Sequence, residues 1–397
     1  MNPKKPLEIY VHIPFCTQKC LYCDFLSFPL SAEQQQCDCY MNALLEEIKY
    51  THQMVNIIEE YEITSVFIGG GTPSAIGEVY IRKILCELRS FYMIAPDAEI
   101  TIEANPGTLT AEKLKAYWEA GINRLSIGLQ SADDKELKRL GRIHTYEEFL
   151  ENYMLARQTG FTNISIDLMT ALPGQTMKDL ERTLNQVISL RPEHISAYSL
   201  IIEENTPYAS LYSEADLPSE ELDREMYAAT GRILEEDGYH RYEISNYARK
   251  GFECRHNSGY WRRVPYLGFG LGASSLFEET RWKNEANMKQ YISQITQRHQ
   301  PLKYEKDQLT QKQQMEEFMF LGLRMTGGIR YCEFERAFGK EPETVYGQQI
   351  SRLIKDELLE KTGENKGKSA GKDDPTGIKL TERGLDLSNY VFSFFIL

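Results

Sequence analysis

The most informative stretch of this chain is Leu7-Glu-Ile-Tyr-Val-His-Ile-Pro-Phe-Cys16-Thr-Gln-Lys-Cys20-Leu-Tyr-Cys23. It opens with a β-type run, Leu7–Ile13, and continues into three cysteines with the spacing C-x3-C-x2-C. Thiolates hold iron–sulfur clusters, and most [4Fe–4S] clusters take four of them. Three cysteines on one loop can therefore ligate three irons and leave the fourth open. An open iron can bind a small molecule through an amine and a carboxylate.

Two simpler explanations of the three cysteines are a structural zinc site and unrelated thiols. Zinc usually takes two separated pairs of Cys or His ligands, and no second pair follows at a suitable distance. Cys37 and Cys39 form a C-x-C, but they lie at the start of a helical pattern. The spacing from Cys16 to Cys23 is typical of radical SAM enzymes, whose open iron binds S-adenosylmethionine. The sequence therefore favours an iron–sulfur site.

Composition and charge describe an ordinary globular protein of 397 residues, 42% hydrophobic and 26% charged. The net charge of −13 argues against general binding of nucleic acid, because such binding needs a surplus of Lys and Arg near the phosphates. No signal-peptide pattern opens the chain, and no uninterrupted apolar stretch of about 18 residues occurs. We therefore expect a cytoplasmic protein without a nucleic-acid partner. The remaining, scattered cysteines fit a reducing compartment.

Short β-type runs alternate with amphipathic helical patterns through about the first 245 residues. The six predicted strands are Leu7–Ile13, Ser65–Ile68, Glu99–Ala104, Arg124–Leu129, Asn163–Met169 and His194–Leu200. Such alternation is typical of βαβ units in a parallel sheet, and six units are two short of a closed eight-stranded barrel. The predicted fold class is α/β, an open partial (β/α)6 barrel over residues 1–245.

The alternation ends after about residue 240, and the rest of the chain divides into two parts. Residues 246–283 hold an aromatic segment, His256–Trp261, and a glycine-rich run, Leu267–Ala273, and are expected to connect two domains. Residues 284–397 become mostly helical, with a polar stretch at 361–378 that is predicted to be a loop. A helix, a hairpin and a final apolar segment are typical of a winged-helix-like domain.

Glycine and polar residues follow the predicted strands at their carboxyl ends, where parallel sheets bind ligands. The run Gly69–Thr72 lets the backbone approach a ligand closely. Glu103, Gln130 and Asp167 end or nearly end the third, fourth and fifth strands, and Arg142 follows them. A carboxylate can accept from an amine or from ribose hydroxyls, and an arginine can pair with a carboxylate. Each residue alone could be a helix cap or a surface ion pair, but together they predict a pocket.

These motifs resemble the family of oxygen-independent coproporphyrinogen III oxidases and their relatives over essentially the whole chain. The resemblance implies that Cys16, Cys20 and Cys23 bind a [4Fe–4S] cluster. It also implies a set of residues that contact S-adenosylmethionine: Tyr10, Tyr22, Gly70, Gly71, Thr72, Glu103, Gln130, Arg142 and Asp167.

Two departures from the oxidases favour a sister group in this family, the HemW heme chaperones. The oxidases read C-x3-C-x2-C-x-C, whereas Phe25 stands two residues after Cys23 and completes the Cys-Asp-Phe of HemW. The chain also starts nine residues before Tyr10, without the N-terminal extension of the oxidases. The segment His256–Trp261 matches the HemW motif H-N-x-x-Y-W. The resemblance therefore implies that His256 contacts heme, since imidazole is a common axial ligand.

The resemblance leaves alternative functions open. The first is a carrier that holds heme, a [4Fe–4S] cluster and S-adenosylmethionine and delivers heme to apoproteins such as respiratory cytochromes, including membrane-associated ones. The second is an enzyme that decarboxylates coproporphyrinogen III to protoporphyrinogen IX. Phe25 and the short N-terminus favour the carrier over the oxidase. Neither departure forbids radical chemistry, so a radical enzyme with another substrate is a third alternative.

Overall fold

The computed structural model describes residues 4–30, 34–54, 60–298, 303–363 and 376–396. The chain forms two compact units. The first comprises Met1–His240, Tyr247–His256 and Pro265–Asp307, and the second comprises Arg241–Asn246, Asn257–Val264 and Gln308–Leu397. Residues 246–283, which the sequence analysis treats as a connecting segment, are divided between these two units.

Both units are built from strands and helices, which follow one another along the chain. The strands are β1 (Lys5–Ile13), β2 (Phe15–Cys16), β3 (Phe28–Pro29), β4 (Tyr61–Gly70), β5 (Ile94–Ala104), β6 (Arg124–Gln130), β7 (Ile164–Thr170), β8 (His194–Ser199), β9 (His240–Arg241), β10 (Asn246–Ala248), β11 (Tyr266–Phe269), β12 (Ser274–Phe277), β13 (Thr280–Asn284), β14 (Lys303–Gln308), β15 (Ile329–Arg330), β16 (Leu359–Thr362) and β17 (Gly377–Leu380). The helices are α1 (Gln34–Met54), α2 (Glu78–Phe91), α3 (Ala111–Glu119), α4 (Asp134–Arg139), α5 (Tyr146–Thr159), α6 (Met177–Ser189), α7 (Tyr208–Leu211), α8 (Glu220–Glu236), α9 (Arg255–Trp261), α10 (Met288–Arg298), α11 (Gln311–Gly322), α12 (Tyr331–Phe338), α13 (Pro342–Lys355), α14 (Glu382–Asp386) and α15 (Ser388–Ser393).

The main sheet contains all six strands that the sequence predicts. Its order is β14-β13-β12-β11-β1-β4-β5-β6-β7-β8-β10-β9, and the strands from β11 to β8 are parallel. This order confirms the α/β class and the partial barrel. The sequence pattern missed the extension beyond β1, where β11 is followed by the antiparallel strands β12 and β13.

Alternation along the parallel strands gives the sheet two different faces, because successive side chains point to opposite sides. On β6, Leu125, Ile127 and Leu129 belong to the main hydrophobic core. Arg124 and Ser126, which alternate with them, are buried polar residues. The same alternation recurs on β1, β4, β5, β7 and β8. One face therefore packs in the core, and the other lines the inside of the barrel with polar groups.

Short polar motifs begin several of the helices that cover the sheet. Thr145 before α5 and Thr176 before α6 form capping boxes, in which the threonine hydroxyl accepts from a backbone amide while the acidic side chain three residues later accepts from the threonine amide. Gly160 ends α5 with a φ of 112°, a conformation that favours glycine. These local signals fix where each helix begins and ends.

The second unit has its own hydrophobic core, which includes Phe334, Tyr346 and Leu353. Its small antiparallel sheet has the order β15-β17-β16, and helices precede and follow it, as expected for the helical C-terminal region. The predicted loop at 361–378 largely coincides with residues 364–375, which lie outside the described residues; its two ends belong to β16 and β17. In the described ranges, no helix has the length and apolar character needed to span a membrane.

Candidate metal and cofactor site

The cysteine loop, residues 14–29, follows β1 and is closed at its base by a short parallel ladder. Phe15 pairs with Phe28, and Cys16 pairs with Pro29. Both ends of the loop are therefore held by backbone pairing between β2 and β3, independently of any ligand. The three cysteines lie on this closed loop at the carboxyl end of β1.

The glycine run after β4 lies directly against the cysteine loop. The amide of Gly71 donates to the carbonyl oxygen of Ile13 at 2.8 Å, and the amide of Thr72 donates to that of Phe15 at 2.7 Å. A Cβ atom on Gly71 would lie 2.9 Å from Cys16 Sγ, so a larger residue would displace the sulfur. The hydroxyl of Thr72 donates to Cys16 Sγ at 3.5 Å. Close approach of backbone to sulfur is thus the reason for glycine at this position.

Cys16 is buried on the cysteine loop, and Cys20 and Cys23 are partly buried. Burial raises the pKa of the Cys16 and Cys23 thiols, and the neighbouring Cys20 sulfur raises both further. Nη1 of Arg142 donates to Cys20 Sγ at 3.5 Å. Among the described residues, no group of three or more Cys, His, Asp or Glu side chains is placed to hold a single metal ion. Hydrogen-bond donors at the sulfurs of Cys16 and Cys20 would stabilise thiolates, which are the ligands of an iron–sulfur cluster.

Two carboxylates, Glu103 and Asp167, line the inside of the barrel near this loop. Oε2 of Glu103 accepts from the amide of Gly70 at 3.0 Å. The Asp167 carboxylate accepts from the hydroxyls of Ser126 at 3.0 Å and Ser165 at 3.2 Å. Exclusion of water, and secondarily the charge of Asp167, raises the pKa of Glu103 to about 8. Glu103 is thus positioned to accept from a bound cation or amine, which would favour its ionised form.

Arg124 is a buried cation inside the barrel, only 1% exposed. Its charge opposes the effect of burial on the pKa of Glu103 and of Asp167, because it favours their ionised forms. Burial, and then the charge of Arg124, lowers the pKa of His194 and of His256. Sequence analysis missed Arg124. Its signal was the alternation of polar and aliphatic residues along β6.

Arg142 connects the cysteine loop to the carboxyl ends of two strands. Its Nη2 donates to Asn105 Oδ1 at 2.7 Å and to the carbonyl oxygen of Gly128 at 2.5 Å. Gln130, at the end of β6, has a φ of 73°, which is uncommon for a residue other than glycine. Its Oε1 accepts from the Tyr198 hydroxyl at 3.3 Å. Backbone strain of this kind concentrates at functional sites.

Both tyrosines predicted to contact the cofactor lie next to the cysteine loop. The Tyr10 hydroxyl is 3.0 Å from His12 Nδ1, and His12 Nε2 is 2.8 Å from the carbonyl oxygen of Leu26. A carbonyl can only accept, so Nε2 carries the proton and Nδ1 accepts from Tyr10. Tyr22 lies on the loop itself, where burial raises its pKa and the charge of Arg142 opposes that shift. The residues predicted to bind the cluster and S-adenosylmethionine therefore lie on the cysteine loop, on the parallel strands or in the segments that follow them.

His256 lies one layer of side chains below this group, and it is 2% exposed. Its ring stacks on Phe67 with the centroids 5.1 Å apart, and lies 6.4 Å from the Tyr10 ring. Its Nδ1 is 2.8 Å from Ser65 Oγ and 3.6 Å from Glu8 Oε2. Burial lowers the pKa of His256 to about 3, so the imidazole is neutral near pH 7. The structure therefore places His256 in the interior of the first unit.

Comparison with known proteins agrees with this geometry. The Radical SAM superfamily matches residues 10–187, and the HemN C-terminal domain matches residues 309–365. The heme chaperone HemW of Bacillus subtilis (strain 168) is 38% identical over 393 residues, which cover 98% of each chain. HemW of Lactococcus lactis is 34% identical over 396 residues, 99% of this chain and 98% of that one. The chain belongs to the HemW family.

A solved structure supports the same fold. Coproporphyrinogen III oxidase (HemN) from Escherichia coli, described as a radical SAM enzyme, superposes with a TM-score of 0.83 and 24% identity, covering 99% of this chain and 90% of that chain. At that identity the likeness shows the fold alone. The HemW resemblance that the sequence motifs indicated is confirmed by the curated relatives.

The matched ranges include the predicted cluster and S-adenosylmethionine residues and leave out the predicted heme residue. The Radical SAM range, 10–187, contains the three cysteines and every residue predicted to contact S-adenosylmethionine. A Radical SAM domain implies a [4Fe–4S] cluster and S-adenosylmethionine, and the thiols and donors described above fit both groups. His256 lies outside both matched ranges.

Proposed function

We propose that this chain is a heme chaperone that binds heme, a [4Fe–4S] cluster and S-adenosylmethionine and delivers heme to apoproteins such as respiratory cytochromes. The observation that carries this proposal is the 38% identity to a heme chaperone HemW over 98% of both chains. Phe25 adds support, because it occupies the position of the fourth cysteine of the oxidase motif and is 70% exposed.

In this proposal the side chains described above hold the two cofactors. Cys16, Cys20 and Cys23 hold the cluster, and Thr72 and Arg142 stabilise its thiolates by donating to their sulfurs. When bound, the reduced cluster supplies an electron to the sulfonium of S-adenosylmethionine. The remaining residues would orient S-adenosylmethionine by accepting from its amine, by hydrogen bonding to its carboxylate and ribose, or by letting the backbone approach it closely. These residues are Tyr10, Tyr22, Gly70, Gly71, Glu103, Gln130 and Asp167.

The proposal is tested by heme binding, transfer and turnover on the same anaerobically reconstituted preparation. Hemin titration followed at the Soret band should be saturable and stoichiometric, and the loaded chain should give its heme to an apocytochrome. Coproporphyrinogen III should remain unchanged when S-adenosylmethionine and a reductant are added. Formation of protoporphyrinogen IX over many turnovers would overturn the chaperone and favour the decarboxylase. Hemin binding that does not saturate would also overturn it.

A heme contact at His256 is part of this proposal, and the burial of the ring decides how it must be tested. The imidazole can reach heme only if it leaves Ser65 and Phe67. Ser65→Ala is the matched control for His256→Ala, because it removes the hydrogen-bond partner and keeps the ring. Weaker hemin binding in His256→Ala alone supports the contact. Equal hemin binding in wild type and both variants contradicts it and leaves His256 a packing residue.

A further inference from the structure

Leu21 lies on the cysteine loop between Cys20 and Cys23, and its peptide groups are held from two sides. Its amide donates to the carbonyl oxygen of Leu140 at 3.2 Å. Its carbonyl oxygen accepts from the amide of Tyr208 at 3.0 Å. Leu140 follows α4 and Tyr208 begins α7, so two segments distant in sequence meet at one residue of the loop.

The side chains at this point form a hydrophobic cluster that is separate from the main core. Its buried members are Leu140, Met169, Leu172, Leu200 and Tyr208, and Leu21 and Tyr22 pack against them. Tyr208 and Leu140 are both fully buried. The middle of the cysteine loop therefore buries apolar surface against the carboxyl-end loops of the barrel, which stabilises one conformation of the loop.

Gly141 makes this contact possible. Its φ is 74°, a conformation that favours glycine, and a Cβ atom there would lie 2.6 Å from Leu21 Cγ and 3.1 Å from the Leu21 amide nitrogen. The next residue, Arg142, donates to Cys20 Sγ. Residues 140–142 therefore contact the cysteine loop at three points: the carbonyl oxygen of Leu140, the Cα atom of Gly141 and the guanidinium of Arg142.

We propose that Leu21, Gly141 and Tyr208 are positioning residues that hold the cysteine loop in its ligating conformation before a cluster binds. The proposal rests on the proposed cluster at Cys16, Cys20 and Cys23. A loop that is ordered in advance loses less conformational freedom when its thiolates take up iron, so it binds the cluster more tightly. The same contacts order the connection between β8 and α8, because the Tyr208 amide has its acceptor on the cysteine loop.

The test compares Gly141→Ala with Gly251→Ala in the full chain. Gly251 also has a positive φ, 87°, but a Cβ atom there meets nothing within 4 Å. The control therefore reproduces the backbone strain without the contact to Leu21. After anaerobic reconstitution, Gly141→Ala should retain less than half of the wild-type iron and sulfide under a chelator, and the remainder should show an altered EPR spectrum when reduced. Gly251→Ala should match wild type in both measurements.

A double-mutant cycle assigns the effect to Leu21. In a Leu21→Ala background the Cγ atom is gone, so adding Gly141→Ala should cause little further loss of cluster. Leu21→Ala strains no backbone and by itself should lower cluster retention, which tests the same contact if Gly141→Ala does not fold. Equal losses from Gly141→Ala in both backgrounds, or wild-type cluster retention in Gly141→Ala, would overturn the proposal.

Hydrogen exchange on the cluster-free chain separates this proposal from the proposed function. The Tyr208 amide should be protected in wild type and in Gly251→Ala, and should exchange at least tenfold faster in Gly141→Ala. Equal protection in all three would overturn the positioning role, whether or not a cluster binds. If the wild-type chain takes up no cluster while the exchange pattern holds, the proposed function fails at its cofactor and the ordering of the loop stands.

Discussion

Glu103→Gln tests the cofactor site most directly, because it changes charge and little else. The amide oxygen of glutamine can still accept from the Gly70 amide, which lies 3.0 Å from Glu103 Oε2 in wild type. What is lost is the carboxylate that we propose accepts from the amine of S-adenosylmethionine. A hydrogen bond to a charged group contributes about 1.5–3 kcal/mol, so we expect binding about 10- to 150-fold weaker at a pH where Glu103 is ionised.

The same substitution predicts a pH dependence with a defined sign. Exclusion of water, and then the charge of Asp167, raises the pKa of Glu103 to about 8. With that pKa about one tenth of Glu103 is ionised at pH 7 and about nine tenths at pH 9. Wild-type affinity should therefore rise as the pH rises through 8. The amine of S-adenosylmethionine titrates nearby, at a pKa of roughly 8, and a neutral amine still donates to an ionised carboxylate. The ratio of wild-type to Glu103→Gln affinity cancels the titration of the free amine and should rise between pH 7 and pH 9.

Isothermal titration calorimetry of the reconstituted chains at pH 7, 8 and 9 measures this ratio. Glu99→Gln is the matched control, because Glu99 lies on the same strand and accepts from the Arg255 and His256 amides rather than facing the predicted cofactor. Its affinity for S-adenosylmethionine should equal that of wild type once cluster content is matched. Equal affinity of Glu103→Gln and wild type at all three pH values would refute the assignment of Glu103.

Three further predictions address the cluster, the buried histidine and the edge of the sheet. Cys20→Ser should remove the cluster, since a serine hydroxyl is a poor ligand for iron. Cys39 is exposed, so Cys39→Ser should retain the wild-type content of iron and sulfide. A full iron content in Cys20→Ser would contradict the assignment of Cys20 as a ligand. Burial lowers the pKa of His256 to about 3, so its contribution to stability is complete above pH 6.5 and is lost as the pH falls towards 3. His256→Gln should therefore reduce the pH dependence of the free energy of unfolding by up to about 1.4 kcal/mol per pH unit in this range, and an unchanged slope in urea titrations would argue against a buried neutral ring. Glu47 accepts hydrogen bonds of 2.6–2.7 Å from a glycine amide, an asparagine and a tyrosine. Glu47→Gln should therefore lower the free energy of unfolding in urea by about 3 kcal/mol, whereas the surface change Glu60→Gln should lower it by less than about 1 kcal/mol. Similar losses in the two variants would show that the buried carboxylate is dispensable.

The ends of the strands and the part of the sheet beyond β1 could not be predicted from local sequence. The predicted starts of the second and third strands, Ser65 and Glu99, are later than the observed starts of β4 and β5 at Tyr61 and Ile94. The register explains the difference, because Tyr61 pairs with Lys5, at the start of β1. A strand continues for as long as its neighbour offers backbone partners, whatever its own side chains are. For the same reason the start of the glycine-rich run, up to Phe269, belongs to a strand, β11, beside β1.

Those parts of this protein that depend on spacing and periodicity can be inferred from the amino-acid sequence alone. The alternation of strands and helices determined the partial barrel, and the spacing of Cys16, Cys20 and Cys23 determined the candidate metal site and pointed to the family. Which distant residues meet depends on the tertiary structure. It brings the charge of Arg124 near enough to shift the pKa of Glu103, Asp167, His194 and His256. It also buries His256 on Phe67 and joins Leu21 to Gly141 and Tyr208. Periodicity acts along the chain and can be read locally, whereas these contacts depend on strand register and packing, which arise only when the whole sheet forms.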